Sequence, residues 1–183
     1  MTDLARLQRI IHEKSYNTGG DFKLASGAAS SFFFDMKPTV LDPEGANLVA
    51  DAILERLDGV NATAIGGLVL GACPIASAVC VKSFGAKTPL NAFYVRKEAK
   101  TRGTQKMIEG ADLKKGDRVV IVEDVTTTGG SALQAVAELR KLGCEVVKVV
   151  TIVDREQGAA AAFAAEKIPF DALFTRRDFA GAT

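Results

Sequence analysis

Histidine and cysteine are scarce in this sequence, which limits the sites that can be built from them. The chain of 183 residues has one histidine, His12, and three cysteines, Cys73, Cys80 and Cys144. No cysteine or histidine stands at ligand spacing from His12, so neither a zinc site nor a histidine-based catalytic triad is expected. The cysteines form no C-x-x-C pair and leave an odd thiol, which favours a reducing compartment over a disulfide framework.

An excess of one charge and long apolar runs are also absent. The 23 basic and 22 acidic residues give a formal net charge of +1, so no overall field attracts the chain to nucleic acid or to an anionic membrane. No segment approaches a membrane span, and charged residues occur from Asp3 to Lys14 where a signal peptide would have its apolar core. We therefore expect a cytoplasmic protein with neither nucleic acid nor membrane as a partner.

Two common phosphate-binding motifs are missing too. The P-loop requires G-x-x-x-x-G-K-[ST], but the segment from Gly66 to Gly71 is followed by Ala72 and Cys73. The dinucleotide fingerprint G-x-G-x-x-G does not occur anywhere in the chain. Any phosphate site in this protein must therefore use a different arrangement.

The sequence does contain enough apolar residues for an α/β core and a stretch around which that core can be arranged. Hydrophobic residues make up 48% of the sequence, which fits one domain. The apolar run at 119–122 predicts a strand buried on both faces. A helix is predicted further along by apolar residues at helical spacing, namely Leu133, Val136, Leu139 and Leu142.

The turn between this strand and this helix has the composition of a phosphate site. Gly129 and Gly130 allow a ligand to approach the backbone, and the start of the helix directs unpaired N–H groups outward. Glu123 and Asp124 would repel a bare phosphate, but carboxylates accept hydrogen bonds from vicinal hydroxyls. The stretch therefore predicts a sugar-phosphate site. The alternative is a buried strand followed by a capped helix, with both acids solvated.

Two glycine-containing segments carry further candidates. Strands are predicted at 22–27 and 30–37, and their adjacent aromatic residues could cover a planar heterocycle, unless one or two of these residues belong to the core. A glycine loop at 66–74 follows a predicted strand at 63–65. This loop offers either a second backbone cradle beside the sugar phosphate or a tight turn that needs small residues for packing.

A basic stretch and one arginine complete the candidates. Five positive charges lie between 96 and 106, with almost no apolar anchor before Met107, which predicts a mobile loop that binds a polyanion. A solvated surface loop is the alternative. Arg155 follows a predicted strand at 146–153 and is therefore expected on the ligand side of a parallel sheet. A local salt bridge with Asp154 or Glu156 is its alternative role.

Several of these segments together resemble a known family. Residues 119–131 are similar to the phosphoribosyl diphosphate (PRPP) signature of the type I phosphoribosyltransferases, which is an apolar run, two acids, an apolar residue and a Thr/Gly-rich turn. The patterns F-x-L-x-S-G-x-x-S-x-F-F-F-D at 22–35 and R-K-E-A-K-x-x-G at 96–103 resemble the hood and the catalytic loop of the orotate phosphoribosyltransferases. This resemblance implies one α/β domain over residues 1–183, with a mainly parallel sheet of about five strands flanked by helices. A small hood from 1–37 and part of the carboxyl-terminal segment completes it.

The same resemblance implies an activity and a set of site residues. The expected reaction transfers phosphoribose from PRPP to orotate, with Mg²⁺ held mainly by PRPP and water, in a homodimer whose subunits share active sites. Lys100, Arg102 and Asp124 are expected to be catalytic. The residues expected to contact orotate are Phe33, Phe34, Thr127 and Arg155. Those expected to bind PRPP are Arg96, Lys97, Lys100, Arg102, Glu123, Asp124, Val125, Thr126, Thr127, Thr128, Gly129, Gly130 and Ser131.

Some positions depart from the family pattern, and two other functions remain open. Ala25 and Gly71 stand where family members can carry a lysine, and Thr101-Arg102 replaces the usual Asp-His pair. A phosphoribosyltransferase that uses a purine or uracil shares the PRPP signature but has no need of a carboxylate partner such as Arg155. A PRPP-sensing transcriptional regulator retains the signature while losing the catalytic loop and gaining a DNA-binding part.

Overall fold

The computed structural model describes residues 1–23, 29–85, 89–98 and 106–180. The predictions for Ala25, Lys100, Thr101 and Arg102 lie outside these described residues. The helices are α1 (Leu4–Lys14), α2 (Lys37–Val40), α3 (Pro43–Arg56), α4 (Ala72–Lys82), α5 (Gly130–Lys141) and α6 (Ala159–Ala165). The strands are β1 (Tyr16–Lys23), β2 (Ala29–Phe34), β3 (Ala64–Leu68), β4 (Asn91–Val95), β5 (Ile108–Gly110), β6 (Arg118–Thr126), β7 (Glu145–Asp154) and β8 (Phe170–Thr175). In the part of the chain described, none of these helices combines the length and the apolar character that crossing a membrane requires.

The larger sheet is mainly parallel, as the sequence predicts. Its six strands follow the order β5-β4-β3-β6-β7-β8, and only β5 is antiparallel to its neighbour, β4. The sequence analysis did not predict β5. A strand of three residues is too short to display the alternation that marks longer strands.

The central strand β6 is buried on both faces. Val119 and Ile121 belong to a core cluster that includes residues of α5 and α6, whereas Val120 and Val122 belong to a cluster with residues of α3 and α4. Successive side chains of a strand point to opposite faces, so these two clusters lie on opposite sides of the sheet. All four side chains are 0% exposed, which explains the uninterrupted apolar run in the sequence.

The start of α3 is capped by the residues that precede and open the helix. The carboxylate of Asp42 accepts hydrogen bonds from the backbone N–H groups of Glu44 (3.1 Å) and Gly45 (2.9 Å). Pro43 occupies the first helical turn, where its missing N–H costs nothing. These contacts fix the amino-terminal end of α3, which is the end nearer to the hairpin along the chain.

The amino-terminal hairpin differs from the prediction at both of its ends. Strand β1 begins at Tyr16 and not at Phe22, and its pairing with β2 shifts register between Thr18 and Phe22. The irregular pairing hides this strand from a period-2 search. Lys37 opens α2 and does not end a strand.

Aromatic rings attach this hairpin to the segment that follows β8. The ring of Phe34 lies 4.9 Å from that of Tyr16 and 5.2 Å from that of Phe179, between centroids. Phe179 is 2% exposed and its ring lies 5.8 Å from that of Phe174 at the end of the large sheet. The two ends of the described chain are thus held together by a shared aromatic cluster, defined as Tyr16, Phe34, Phe174 and Phe179.

Candidate active site

A cavity of about 430 Å³ lies at the carboxyl ends of β6 and β7. In a parallel sheet the loops after neighbouring strands meet at this edge, where α/β proteins bind their ligands. The cavity is lined by Phe33, Phe34, Glu123, Val125, Thr126, Thr127, Thr128, Gly129, Gly130, Ser131, Ala132 and Arg155. The structure thus brings most of the residues singled out in the sequence into one space.

The turn after β6 has the backbone geometry of an anion site. Gly129 has φ +84°, a conformation that residues with a side chain rarely adopt, and an added Cβ would lie 3.0 Å from the ring of Phe163. Helix α5 begins directly after it, so the first N–H groups of the helix point toward the cavity. Thr128 and Ser131 are exposed at the turn, and their hydroxyls can donate hydrogen bonds to phosphate oxygens.

The carboxyl group of Glu123 is buried at the wall of the cavity. Its side chain is 7% exposed, and Oε1 has no hydrogen-bond partner among the described residues. Burial, and after it the negative charge of Asp124, raise the pKa of Glu123 to about 8, partly opposed by the positive charge of Lys97. At neutral pH the group is therefore mainly protonated and can donate a hydrogen bond as well as accept one.

The carboxyl group of Asp124 lies elsewhere, against the loop that follows β3. Its Oδ1 accepts a hydrogen bond from the N–H of Val125 (2.8 Å), and a Cβ added to Gly71 would lie 2.6 Å from that same oxygen. Burial raises the pKa of Asp124, partly opposed by its backbone hydrogen bonds and by the charge of Lys37. Among the described residues, Asp124 does not line the cavity that contains Glu123. The two acids therefore flank the end of β6 from either side, as alternation along a strand requires.

Arg155 lies at the far side of the cavity, beneath the hairpin. Its side chain is 4% exposed, and its guanidinium carbon lies 4.6 Å from the centroid of the Phe32 ring, within the range of a cation–π contact. Its backbone N–H donates to the carbonyl of Thr126 (2.9 Å), which ties the end of β7 to the phosphate turn. Burial, together with the charge of Arg176, lowers the pKa of Arg155.

The two acids offered as alternative partners of Arg155 have contacts of their own. Asp154 accepts a hydrogen bond from the backbone N–H of Glu156 at 2.8 Å. The carboxylate of Glu156 lies 3.0 Å from Arg177 and 3.8 Å from Arg176. Arg155 itself lines the cavity, and its role in binding a ligand there remains a prediction.

Two residues beside the site were not recognised as candidates from the sequence. Phe32 was not distinguished from its neighbours, although alternation places it on the same face of β2 as Phe34, and the two rings lie 5.9 Å apart. Gln134 donates a hydrogen bond from Nε2 to the carbonyl of Lys97 (3.2 Å) and so joins α5 to the start of the basic stretch. An exposed glutamine on a helix carries no sequence signal for such a contact.

The start of the basic stretch is held by backbone pairing. The N–H of Arg96 donates to the carbonyl of Met107 at 2.8 Å, and its guanidinium lies 3.9 Å from Glu109. Lys97 is exposed, yet its charge acts on Glu123. Arg96 and Lys97, although described, are not among the residues that line the cavity, and Lys100 and Arg102 lie outside the described residues.

The segment predicted as a glycine loop at 66–74 begins later than expected, because Gly66 and Gly67 lie within β3. Its role as a second backbone cradle remains a prediction. A Cβ on Gly66 would lie 2.0 Å from the carbonyl oxygen of Phe93, and one on Gly67 would lie 2.4 Å from that of Val122. These two glycines are therefore required for strand packing. Gly71 instead faces the side chain of Asp124.

A mainly parallel sheet whose central strand ends in paired acids and a glycine turn defines an α/β protein that binds a sugar phosphate at the edge of its sheet. The family model of the phosphoribosyl transferase domain matches residues 41–168. The chain belongs to this phosphoribosyltransferase family.

Curated relatives and solved structures come from the same family. The chain is 48% identical over 178 residues to the orotate phosphoribosyltransferase of Bradyrhizobium diazoefficiens, covering 96% of this chain and 95% of that protein. The orotate phosphoribosyltransferase of Mycobacterium tuberculosis in complex with Fe(III) dicitrate has a TM-score of 0.84 and 36% identity, covering 97% of this chain and 99% of that one. A structure of the same enzyme in complex with PRPP has a TM-score of 0.80 and 33% identity, covering 97% and 98%.

Proposed function

We propose that this protein is an orotate phosphoribosyltransferase, which transfers phosphoribose from PRPP to orotate and releases pyrophosphate. The product is orotidine 5′-monophosphate, in the synthesis of UMP. One observation carries the proposal: a phosphate turn, a buried acid, two phenylalanines and a buried arginine line a single cavity. The identity to orotate phosphoribosyltransferases over nearly the full chain supports orotate above purines and uracil as the base.

The binding of PRPP follows from the chemistry of the turn. Thr127, Thr128, Gly129, Gly130 and Ser131 provide hydroxyls and helix-start N–H groups, which suit the 5′-phosphate. The ribose is placed over the end of β6, where the carboxyl groups on its two sides accept hydrogen bonds from the vicinal hydroxyls. Val125 and Thr126 join these two subsites through the backbone.

The binding of orotate uses the other half of the cavity. Phe33 and Phe34 cover the planar ring, and Thr127 contacts it from the turn. Arg155 pairs with the carboxylate of orotate in a forked geometry that lysine cannot reproduce. Arg155 lines the cavity, where its guanidinium can reach the carboxylate of a bound substrate.

The reaction breaks the bond between C1 of ribose and the pyrophosphate oxygen and forms one between C1 and a ring nitrogen of orotate. Positive charge develops on the sugar and negative charge on the leaving group. Asp124 and Glu123 hold the hydroxyls of the sugar in line with the nucleophile. Arg96, Lys97, Lys100 and Arg102 stabilise the pyrophosphate, and the loop excludes water. The ring nitrogen of orotate is the nucleophile and releases its proton to solvent as the new bond forms; no side chain is assigned as a dedicated general base.

We propose Mg²⁺ as the cofactor. Mg²⁺ prefers oxygen ligands and retains several waters, so it is typically held by one or two carboxylates together with substrate phosphates. The described residues contain no group of three or more His, Cys, Asp and Glu side chains that could hold a metal ion. The two carboxyls flanking β6 fit a site in which PRPP and water provide most of the ligands. The ion would neutralise charge on the departing pyrophosphate.

We further propose the organisation in which this enzyme works. It forms one domain, in which the hairpin and the segment after β8 act as a hood, and it assembles as a homodimer with shared active sites. The aromatic cluster that joins these two segments supports the hood. The three free thiols support a location in the reducing cytoplasm.

A panel of bases tests the proposed function. Purified protein with PRPP and Mg²⁺ is given orotate, uracil, adenine or hypoxanthine, and pyrophosphate release is measured for each. We expect turnover with orotate and, because only orotate carries a carboxylate, at least roughly a hundredfold less with uracil. Equal turnover with uracil, or turnover only with a purine, would refute the assignment. A gel shift with DNA tests the regulator alternative.

A further inference from the structure

We propose that Gly71 is a positioning residue for the reaction, because its missing side chain creates the space in which the carboxyl group of Asp124 is held. The loop after β3 would then set the geometry of the acid that contacts the ribose. The kinetic part of this inference rests on the proposed function, whereas its structural part does not.

The contact involves the whole carboxyl group of Asp124. A Cβ built on Gly71 would lie 2.6 Å from Oδ1, 2.7 Å from Cγ and 2.9 Å from Oδ2. Carbon–carbon and carbon–oxygen contacts at van der Waals distance are well above 3 Å, so a methyl group at position 71 cannot be accommodated while the carboxyl group keeps this position. Asp124 is thus packed against the bare backbone of Gly71 on one side and hydrogen-bonded to the N–H of Val125 on the other.

Space, and not backbone conformation, explains the glycine at this position. Gly71 has φ −57° and ψ −41°, which are ordinary right-handed helical values open to any residue. Gly129 is different, because its positive φ would strain any side chain. The three atoms nearest to the Cβ of an alanine at position 71 would all belong to the carboxyl group of Asp124.

This obstacle predicts displacement of the carboxyl group without loss of the fold. A carboxylate is the movable end of a short side chain and can rotate away from an added methyl group. By contrast, a Cβ on Gly67 meets the carbonyl oxygen of Val122 at 2.4 Å, and backbone in the central strand cannot yield. Gly71→Ala should therefore give a folded enzyme with a misplaced Asp124, whereas Gly67→Ala should impair folding.

A double-mutant cycle tests whether Gly71 acts through Asp124. The variants are Gly71→Ala, Asp124→Ala and the two combined, and Gly85→Ala is the control because a Cβ there meets nothing within 4 Å. A shift of the carboxyl group by about 1 Å should lower kcat/KM for PRPP between roughly ten- and a hundredfold. We expect KM for orotate to change by less than about twofold, and Gly71→Ala to add no loss once Asp124 is alanine.

Melting temperatures of the ligand-free proteins test the structural part separately. With Asp124 present, Gly71→Ala should lower the melting temperature or leave it unchanged. With Asp124→Ala the obstacle is gone, and the same substitution should raise the melting temperature, because alanine reduces the freedom of the unfolded chain. Equal effects of Gly71→Ala in both backgrounds, in kinetics and in melting, would overturn the inference. A failure of orotate turnover in the parent protein would refute the proposed function and leave the melting cycle valid.

Discussion

Glu123 shows how strongly burial controls the chemistry of one side chain in this site. Its folded-state pKa of about 8 lies above the ordinary glutamate value of 4.5. Between pH 4.5 and pH 8 the folded protein therefore retains a proton that the unfolded chain has released. The stability contributed by this proton is complete below pH 4.5 and is lost as the pH rises through 8. Each unit of pKa difference is worth about 1.4 kcal/mol, so the total effect is on the order of a few kcal/mol.

Glu123→Gln should remove this pH dependence in the ligand-free protein. Glutamine fills the same volume and never ionises, so at pH 8 and above the variant should be more stable than the parent by on the order of a few kcal/mol. At pH 4.5 and below the two should have similar stability. Urea unfolding at several pH values measures the difference. A constant difference between parent and variant across the pH range would contradict a titrating Glu123.

The role of Arg155 can be tested by measuring the affinities for orotate and for PRPP separately. Arg155→Lys retains the charge but loses both the forked hydrogen bonds and the stacking on Phe32, so we expect orotate affinity to fall by at least roughly tenfold. PRPP affinity should change little, because the phosphate turn remains in place. Isothermal titration calorimetry with each substrate gives both numbers. Arg177→Lys, on an exposed side chain outside the cavity, is the matched control, and equal weakening of orotate and PRPP would contradict carboxylate recognition.

At the level of elements, the aromatic cluster connects stability with the base pocket. Phe179 is 2% exposed and its ring lies near those of Tyr16, Phe34 and Phe174, while Phe34 also lines the cavity. Phe179→Ala should therefore cost about 3–5 kcal/mol in free energy of unfolding. It should also raise KM for orotate more than KM for PRPP. Phe179→Leu retains most of the apolar volume and should lose less in both measurements. An unchanged KM for orotate in Phe179→Ala would contradict the expectation that the aromatic cluster supports the base pocket.

The elements that can be recognised best from the sequence are those with an uninterrupted local pattern, such as an apolar run or a helix cap. Strand β6 has its apolar run because both of its faces are buried, and α3 has its cap because Asp42 and Pro43 satisfy the helix start. The first part of β1 escaped prediction because its pairing with β2 shifts register between Thr18 and Phe22. Helix α2 was missed because four residues show no helical period.

The residues of the site differ in the same way. Some can be recognised from a local sequence pattern, whereas others depend on contacts that only the folded structure brings together. The phosphate turn is contiguous in sequence, so its glycines and hydroxyls could be recognised together. Phe32 beside Arg155 and Gly71 beside Asp124 are contacts between residues far apart in the chain, and no local pattern records them. The sequence also predicted two adjacent acids as one pair. Only their extended backbone within β6 places the carboxyl groups on opposite sides of the strand.

On the scale of the whole molecule, three separate segments of the chain come together to line the cavity. The hairpin supplies Phe33 and Phe34, the turn after β6 supplies the phosphate subsite, and the end of β7 supplies Arg155. A fourth segment is the start of the basic stretch, in which Arg96 and Lys97 directly follow β4. The homodimer proposed above assigns the remainder of that stretch to the neighbouring subunit.

This assignment can be tested by mixing two inactive enzymes. Lys100→Ala disables the loop and Asp124→Ala disables the ribose site, so each homodimer alone should have little activity. If the loop acts on the partner's site, a mixed dimer has one site with both defects and one with neither. After the subunits have exchanged at random, about a quarter of the parent activity should return, because half of the dimers are mixed and each has one intact site. If every loop serves its own subunit, each site in the mixture contains one defect and no activity returns. Gel filtration of the parent protein first establishes that it is a dimer, and a monomer with full activity would by itself contradict shared sites.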